Sequence, residues 1–176
     1  MELKPSERLI VLMLADVMKK LEINDGLDSV LVEKLVLSKA EWGLDWAYPS
    51  LFSGNEEETH PEADLVEETG DILSMWDIIE TSIENHGDAV PEELRDNIRA
   101  KFRGFDGNND RHYHIAHTII YDLGAYERFK DRNLNSHSQA TLPSYRAMLP
   151  RFNEAMVDWE DNGLSVENLV RSVLGD

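Results

Sequence analysis

The sequence predicts an all-α fold, a multi-helix bundle that begins with an N-terminal helical hairpin. Three observations carry this. Apolar residues recur at steps of three and four through most of the chain, the spacing of one helix face. Prolines and glycines punctuate these runs as helix ends require, with Pro5, Pro91 and Pro143 at starts and Gly87 just past an end. No stretch alternates apolar and polar residues over the length of a strand, and 41% apolar content in 176 residues is enough to fill a core.

The first helix is predicted from Ser6, with Ile10, Met13, Leu14, Val17 and Leu21 at helical spacing. Residues 9–14 are apolar nearly all round, so this helix is expected to be sandwiched between others. Asn24, Asp25 and Gly26 end it, and Asp28 caps a second helix carrying Leu31, Val32, Leu35 and Val36. Residues 42–54 are aromatic and interrupted by Gly43, Pro49 and Gly54, which predicts an irregular apolar loop or a very short strand. Residues 1–54 thus read as a helical hairpin with an aromatic loop, and residues 55–176 as a C-terminal helical bundle.

Glu56, Glu57 and Glu58 open the next helix, where acids interact favourably with the macrodipole, and Pro61 fits its first turn. Leu65, Thr69, Ile72, Trp76, Ile79, Ile83 and His86 then form a heptad-like seam. Such a seam serves either an intramolecular bundle or a dimer. Pro91 starts a short helix with Leu94 and Ile98 facing inward, ending near Lys101. Gly104 and Gly107 relax the backbone around Asp106, which makes a structural helix-start turn with Asp106 at the N-cap. The helix that follows is predicted to reach about Lys130, with Ile115, Ile119, Leu123 and Tyr126 on its apolar face. Beyond a polar loop, Pro143 opens a helix carrying Tyr145, Leu149, Phe152, Met156 and Trp159, in which Pro150 predicts a kink or break. A last helix starts at Ser165, with Val166, Leu169, Val170 and Val173 apolar.

Charge narrows the function classes. With 35 acidic against 17 basic side chains, the formal net charge of -18 repels phosphate backbones, so nucleic acid is not an expected partner. A DNA-reading role for the N-terminal hairpin is the weakest of the alternatives for that reason. Cysteine is absent, which removes disulfides, thiolate nucleophiles and cysteine-based zinc sites. The apolar run over residues 9–15 is bounded by Glu7 and Asp16, is too short to span a bilayer and precedes no small-residue cleavage site. The expectation is a soluble cytoplasmic protein with no membrane partner.

The densest chemistry lies in residues 102–117, FRGFDGNNDRHYHIAH. On a helix, Asp110, His114, His117 and Tyr121 fall on one face, and His137 from the later loop adds a third imidazole. A carboxylate and imidazoles at this spacing suit a divalent metal, or a small-ligand enzyme using the same cluster. The same arc lies opposite Ile115, Ile119 and Leu123, so a solvated polar face without any cofactor is the simpler reading, and His112 falls on the apolar side. No serine sits in a GxSxG elbow, the glycine turn lacks the spacing of a phosphate loop, and no catalytic residue is assigned. A milder possibility is a joint or shallow recognition surface formed by Phe102, Phe105, Tyr113, Tyr145 and Met148, edged by Arg103, His137 and Arg146, provided the loop after Arg132 folds back onto the glycine turn.

Glu7 to Ile10 read ERLI, Phe102 to Asp106 read FRGFD, Tyr113 follows in the next helix, and Ser136 and His137 lead to YRAML at Tyr145 to Leu149. In this order and spacing the chain resembles the YfbU family of bacterial proteins over most of its length. The resemblance implies a cytoplasmic, all-helical protein built from a helical hairpin and a second helical bundle. It implies no reaction and supplies no catalytic residue. The function expected is therefore that of an interaction module, binding a protein partner or self-associating.

Overall fold

The computed structural model describes residues 3–52, 62–95, 97, 100–158 and 163–175. The chain runs through α1 (Pro5–Lys20), α2 (Ser29–Leu37), α3 (Trp42–Ala47), α4 (Pro49–Phe52), α5 (Ala63–His86), α6 (Glu92–Arg95), α7 (His112–His117), α8 (Leu142–Ala155) and α9 (Val166–Leu174). Among the described residues there is no strand, and one isolated parallel bridge joins Phe105 to Asn135. The fold is all-α. No helix of the described residues is long and apolar enough to cross a membrane. Glu56, Glu57, Glu58, Pro61, Ile98 and Trp159, assigned above to helices, lie outside the described residues.

Local chemistry sets most helix ends. Pro5 occupies the first turn of α1, and the Glu7 carboxylate accepts from the Lys4 N–H at 2.8 Å. Asp28 Oδ1 accepts from the N–H groups of Val30 and Leu31 at 2.9 and 3.1 Å, as its cap position predicts. Ser165 Oγ likewise accepts from Asn168 N at 3.2 Å to start α9. Gly87 ends α5 with φ of 52°, a conformation glycine adopts without Cβ strain.

Four expectations are corrected. Residues 42–52 form the short helices α3 and α4 rather than a loop or strand, because Trp42 and Leu44 turn into the core and Gly43 lies against Leu35. The helix after the glycine turn is short: α7 passes into a π turn over Thr118–Asp122, with Leu123 N donating to Thr118 O at 3.0 Å. Gly124 and Tyr126 then take φ of 68° and 52°, which stops the helix before Lys130. α8 continues through Pro150 without a break, held against both α5 and α9.

The fourth correction concerns α1. This helix packs on α2 and buries Ala15, yet Leu9, Ile10, Met13, Leu14, Val17 and Leu21 are 50–65% exposed. It is not sandwiched. The arc facing Ala15 packs inward, and the broader apolar arc opposite it is left exposed by the described residues.

The seam on α5 is used internally. Thr69, Ile72, Trp76 and Ile79 are buried as α5 packs against α7, α8 and α9, so the dimer reading of this seam falls away. Its neighbour Glu80 is also buried. The Glu80 carboxylate accepts from Arg132 Nη1 and Nη2 at 2.7 and 2.5 Å, a two-pronged pair, and Oε1 accepts from Phe102 N at 2.8 Å. A buried carboxylate needs such partners, because removing one member strands the others away from water. Glu80→Ala is expected to cost about 1–3 kcal/mol, chiefly by leaving the buried Phe102 N–H unsatisfied, since the partly exposed Arg132 guanidinium can turn to water. Urea denaturation of both forms measures this.

Candidate functional site

The segment that follows α6 crosses the loop that precedes α8. Phe105 N donates to Leu134 O and Ser136 N donates to Phe105 O, both at 2.9 Å, so the loop after Arg132 does fold back onto the glycine turn. Gly104 makes the crossing possible. Its φ is 74°, and a Cβ there would stand 2.0 Å from Leu134 O. The Gly104 carbonyl accepts from Thr141 Oγ1 at 2.8 Å and from the Tyr145 hydroxyl at 3.2 Å, while Arg103 N donates to that hydroxyl oxygen at 3.1 Å. Gly107 lies against the Asn135 side chain, whose Oδ1 accepts from Gly107 N at 3.1 Å.

Asp106 holds this turn but does not cap α7. Its carboxylate accepts from Asn109 Nδ2 at 2.6 Å and from Asn108 N at 2.9 Å, and these donors hold it below the usual carboxylate range. α7 starts at His112, six residues later.

The candidate recognition surface turns inward. Phe102, Phe105 and Tyr145 are buried, as is Met148, and Tyr113 is half-buried. Phe105 meets Tyr145 edge-on with ring centroids 5.8 Å apart, and Phe102 lies 4.8 Å from the Phe129 ring. Edge-to-face and tilted packing of this kind belongs to a core joint. Of the polar members, Arg103 Nη1 donates to Gln139 at 3.3 Å, His137 stays exposed in its own loop, and Arg146 reaches back to α5. They share no concave site.

The histidines separate in the same way. His112 is buried, stacks on Phe105 at 5.5 Å and points Nε2 at Glu68 Oε2 over 2.8 Å, which makes Nε2 the donor. Glu68 also receives Arg146 through Nε and Nη2 at 2.6 and 2.7 Å. The Arg146 guanidinium first, and His112 with it, lower the Glu68 pKa to about 2.

His114 and His117 face a groove of about 340 Å³ between α2 and the start of the π turn, together with Lys34, Lys39, Trp42 and Asp122. Lys34 pairs with the nearly buried Asp122 carboxylate and closes one side of it. Asp110, by contrast, accepts from Asp106 N at 3.2 Å, and His137 Nε2 lies 3.0 Å from Asn133 Nδ2. Asp110, His114, His117 and His137 are therefore not gathered, and among the described residues no group of three or more His, Asp or Glu is placed to hold a metal ion. Helical phase set His114 and His117 side by side. It did not bring His137 to them, because the backbone bridge at Phe105 directs that loop toward the glycine turn.

Sequence reasoning missed Glu68, whose partners lie 44 and 78 residues along the chain, and the pair of Lys34 with Asp122, which are 88 residues apart. It also missed the exposure of α1, although the excess of apolar residues around that helix was its signal.

Two outcomes follow from this geometry. Gly104→Ala is expected to cost more than about 3 kcal/mol, since left-handed strain adds to overlap with Leu134 O, whereas Gly124→Ala, with open space around it, costs about 1 kcal/mol; chemical denaturation of the pair distinguishes them. Because the folded Glu68 pKa lies below its ordinary 4.5, its stabilisation is present above pH 4.5 and is lost as pH falls toward 2. The stability difference between wild type and Glu68→Gln, followed by pH-dependent denaturation, should therefore shrink across that window.

The family model described as the YfbU domain matches residues 1–174. No curated protein and no solved structure matches the chain.

Proposed function

The chain belongs to the YfbU family, and we propose that it is a non-enzymatic interaction module that works by binding a protein chain along the exposed face of α1. One observation carries the reading. Six large apolar side chains of α1, from Leu9 to Leu21, stand half or more exposed on a single arc. At about 100 Å² apiece they amount to roughly 600 Å² of apolar surface, the upper end of what a lone soluble chain carries without using it for contact.

The remainder of the site favours structure over chemistry. The FRGFD turn forms a backbone crossing, the aromatic joint is core, and His137 stands apart from His114 and His117. A DNA-reading helix would present cations and amides to phosphates and base edges, whereas the free arc of α1 presents leucine, isoleucine, methionine and valine.

A photoreactive amino acid replacing Leu14 in the full chain inside cells is expected to trap a discrete protein adduct on irradiation. The same group at exposed Glu93 should trap none. Absence of any protein adduct at position 14 removes the reading.

A further inference from the structure

We infer that the partner of α1 is a second copy of this chain, docked with the two α1 helices antiparallel about a two-fold axis that passes between Met13 and Leu14. This rests on the reading of α1 as a protein-binding face and names its occupant. Three features of the helix converge on it.

The first is the pattern. A two-fold interface must be complementary to itself, so each residue faces the mirror position on the other copy. About the midpoint of residues 13 and 14, Ile10 exchanges with Val17 and Met13 with Leu14, and every one of these is apolar and exposed. The centre of the arc therefore matches its own reversed copy, and toward its ends Leu9 and Leu21 fall opposite Met18 and Ser6.

The second is charge. At -18, two copies repel each other over most of their surfaces. Residues 3–21 carry more bases than acids, with Lys4, Arg8, Lys19 and Lys20 set against Glu7 and Asp16, so this helix opposes its own copy less than the chain as a whole does. Arg8 turns toward the buried Glu41 at 2.5 Å and Lys19 toward Glu33 at 2.6 Å, so the flanks are occupied and the apolar arc is left clear. An antiparallel pair also sets the helix macrodipoles in opposition, the favourable arrangement for adjacent helices.

The third is area. A standard specific interface buries about 800 Å² per partner. The apolar arc supplies most of that, and exposed Ile23 and Leu27, in the turn that follows α1, extend it.

The absence of cysteine makes the geometry directly testable, because each variant then carries a single thiol. In an antiparallel pair the two copies of residue 13 are about 1.5 Å apart along the helix axis, while the two copies of residue 10 are about 10 Å apart along it. Disulfide formation needs Cβ atoms about 3.5–4.5 Å apart. Under mild oxidation Met13→Cys is expected to form a covalent dimer, and Ile10→Cys and Val17→Cys to form one when mixed but not separately. Wild type should sediment as a dimer, and Val17→Asp should weaken that dimer more than about tenfold by placing an unpaired carboxylate in the seam.

Cross-linking of Ile10→Cys with itself as readily as Met13→Cys means a parallel pair and overturns the inference. So does a wild-type chain that stays monomeric at high concentration. If that monomer still yields a protein adduct at position 14, the protein-binding reading stands and the second copy is the wrong occupant. A monomer that co-sediments with phosphatidylcholine vesicles overturns both in favour of a lipid surface.

Discussion

The close passage of Gly104 beneath the Leu134 carbonyl is the contact on which the C-terminal half of the molecule depends. It lets the segment after α6 and the loop before α8 run side by side for one parallel bridge, and the side chains on either side then have fixed directions. Phe102 and Phe105 turn in against Tyr145, and Tyr145 fastens the crossing by its hydroxyl. Directly beneath, Glu80 of α5 takes the Phe102 N–H and the Arg132 fork together, so one buried carboxylate ties both strands of the crossing to the central helix. Two segments without regular secondary structure are thereby held as firmly as helices, because their polar backbone groups find partners inside the protein.

The same economy runs along α5. In so acidic a chain, three of the arginines that follow α7 return to this helix: Arg132 to Glu80, Arg128 to Asp77, Thr81 and Glu84, and Arg146 to Glu68. The successive acids on α5 act as fixed anchor points, and each arginine fork selects a particular depth and rotation for the segment that carries it. α1 stands in contrast. Its ties are Arg8 to Glu41 and Lys19 to Glu33 on its inner side, and its outer side offers apolar surface that the described residues leave exposed. Burial of that side would remove apolar surface from water, on a helix that carries more bases than acids.

Helix ends were the most legible feature. Asp28, Gly87 and Ser165 act where their side chains or backbone freedom predict, since capping is decided within three or four residues. The burial of His112 was also legible from helical phase alone. Less was readable where a choice depended on distant neighbours. The helix expected to reach Lys130 is cut short by a π turn whose Asp122 is committed to Lys34 of α2. The apolar loop of residues 42–52 becomes helical because Leu35 and the core accept Trp42 and Leu44. The histidine face was correct in phase and incomplete in partners, since nothing local reveals that His137 turns aside at a left-handed residue.

By itself the sequence determined that the protein is helical, where α1, α2, α8 and α9 begin and where α5 ends, which faces carry apolar side chains, and that it belongs with the YfbU domain. Those properties follow from propensity, capping and periodicity, which act over one or two turns. Tertiary structure decided which apolar face is covered and which is left open. The seam of α5 and the stripe of α1 look alike as patterns, and only the packing of α7, α8 and α9 onto α5 distinguishes a core from a free surface. Burial is a property of what lies opposite, and a one-dimensional pattern contains one side of each contact.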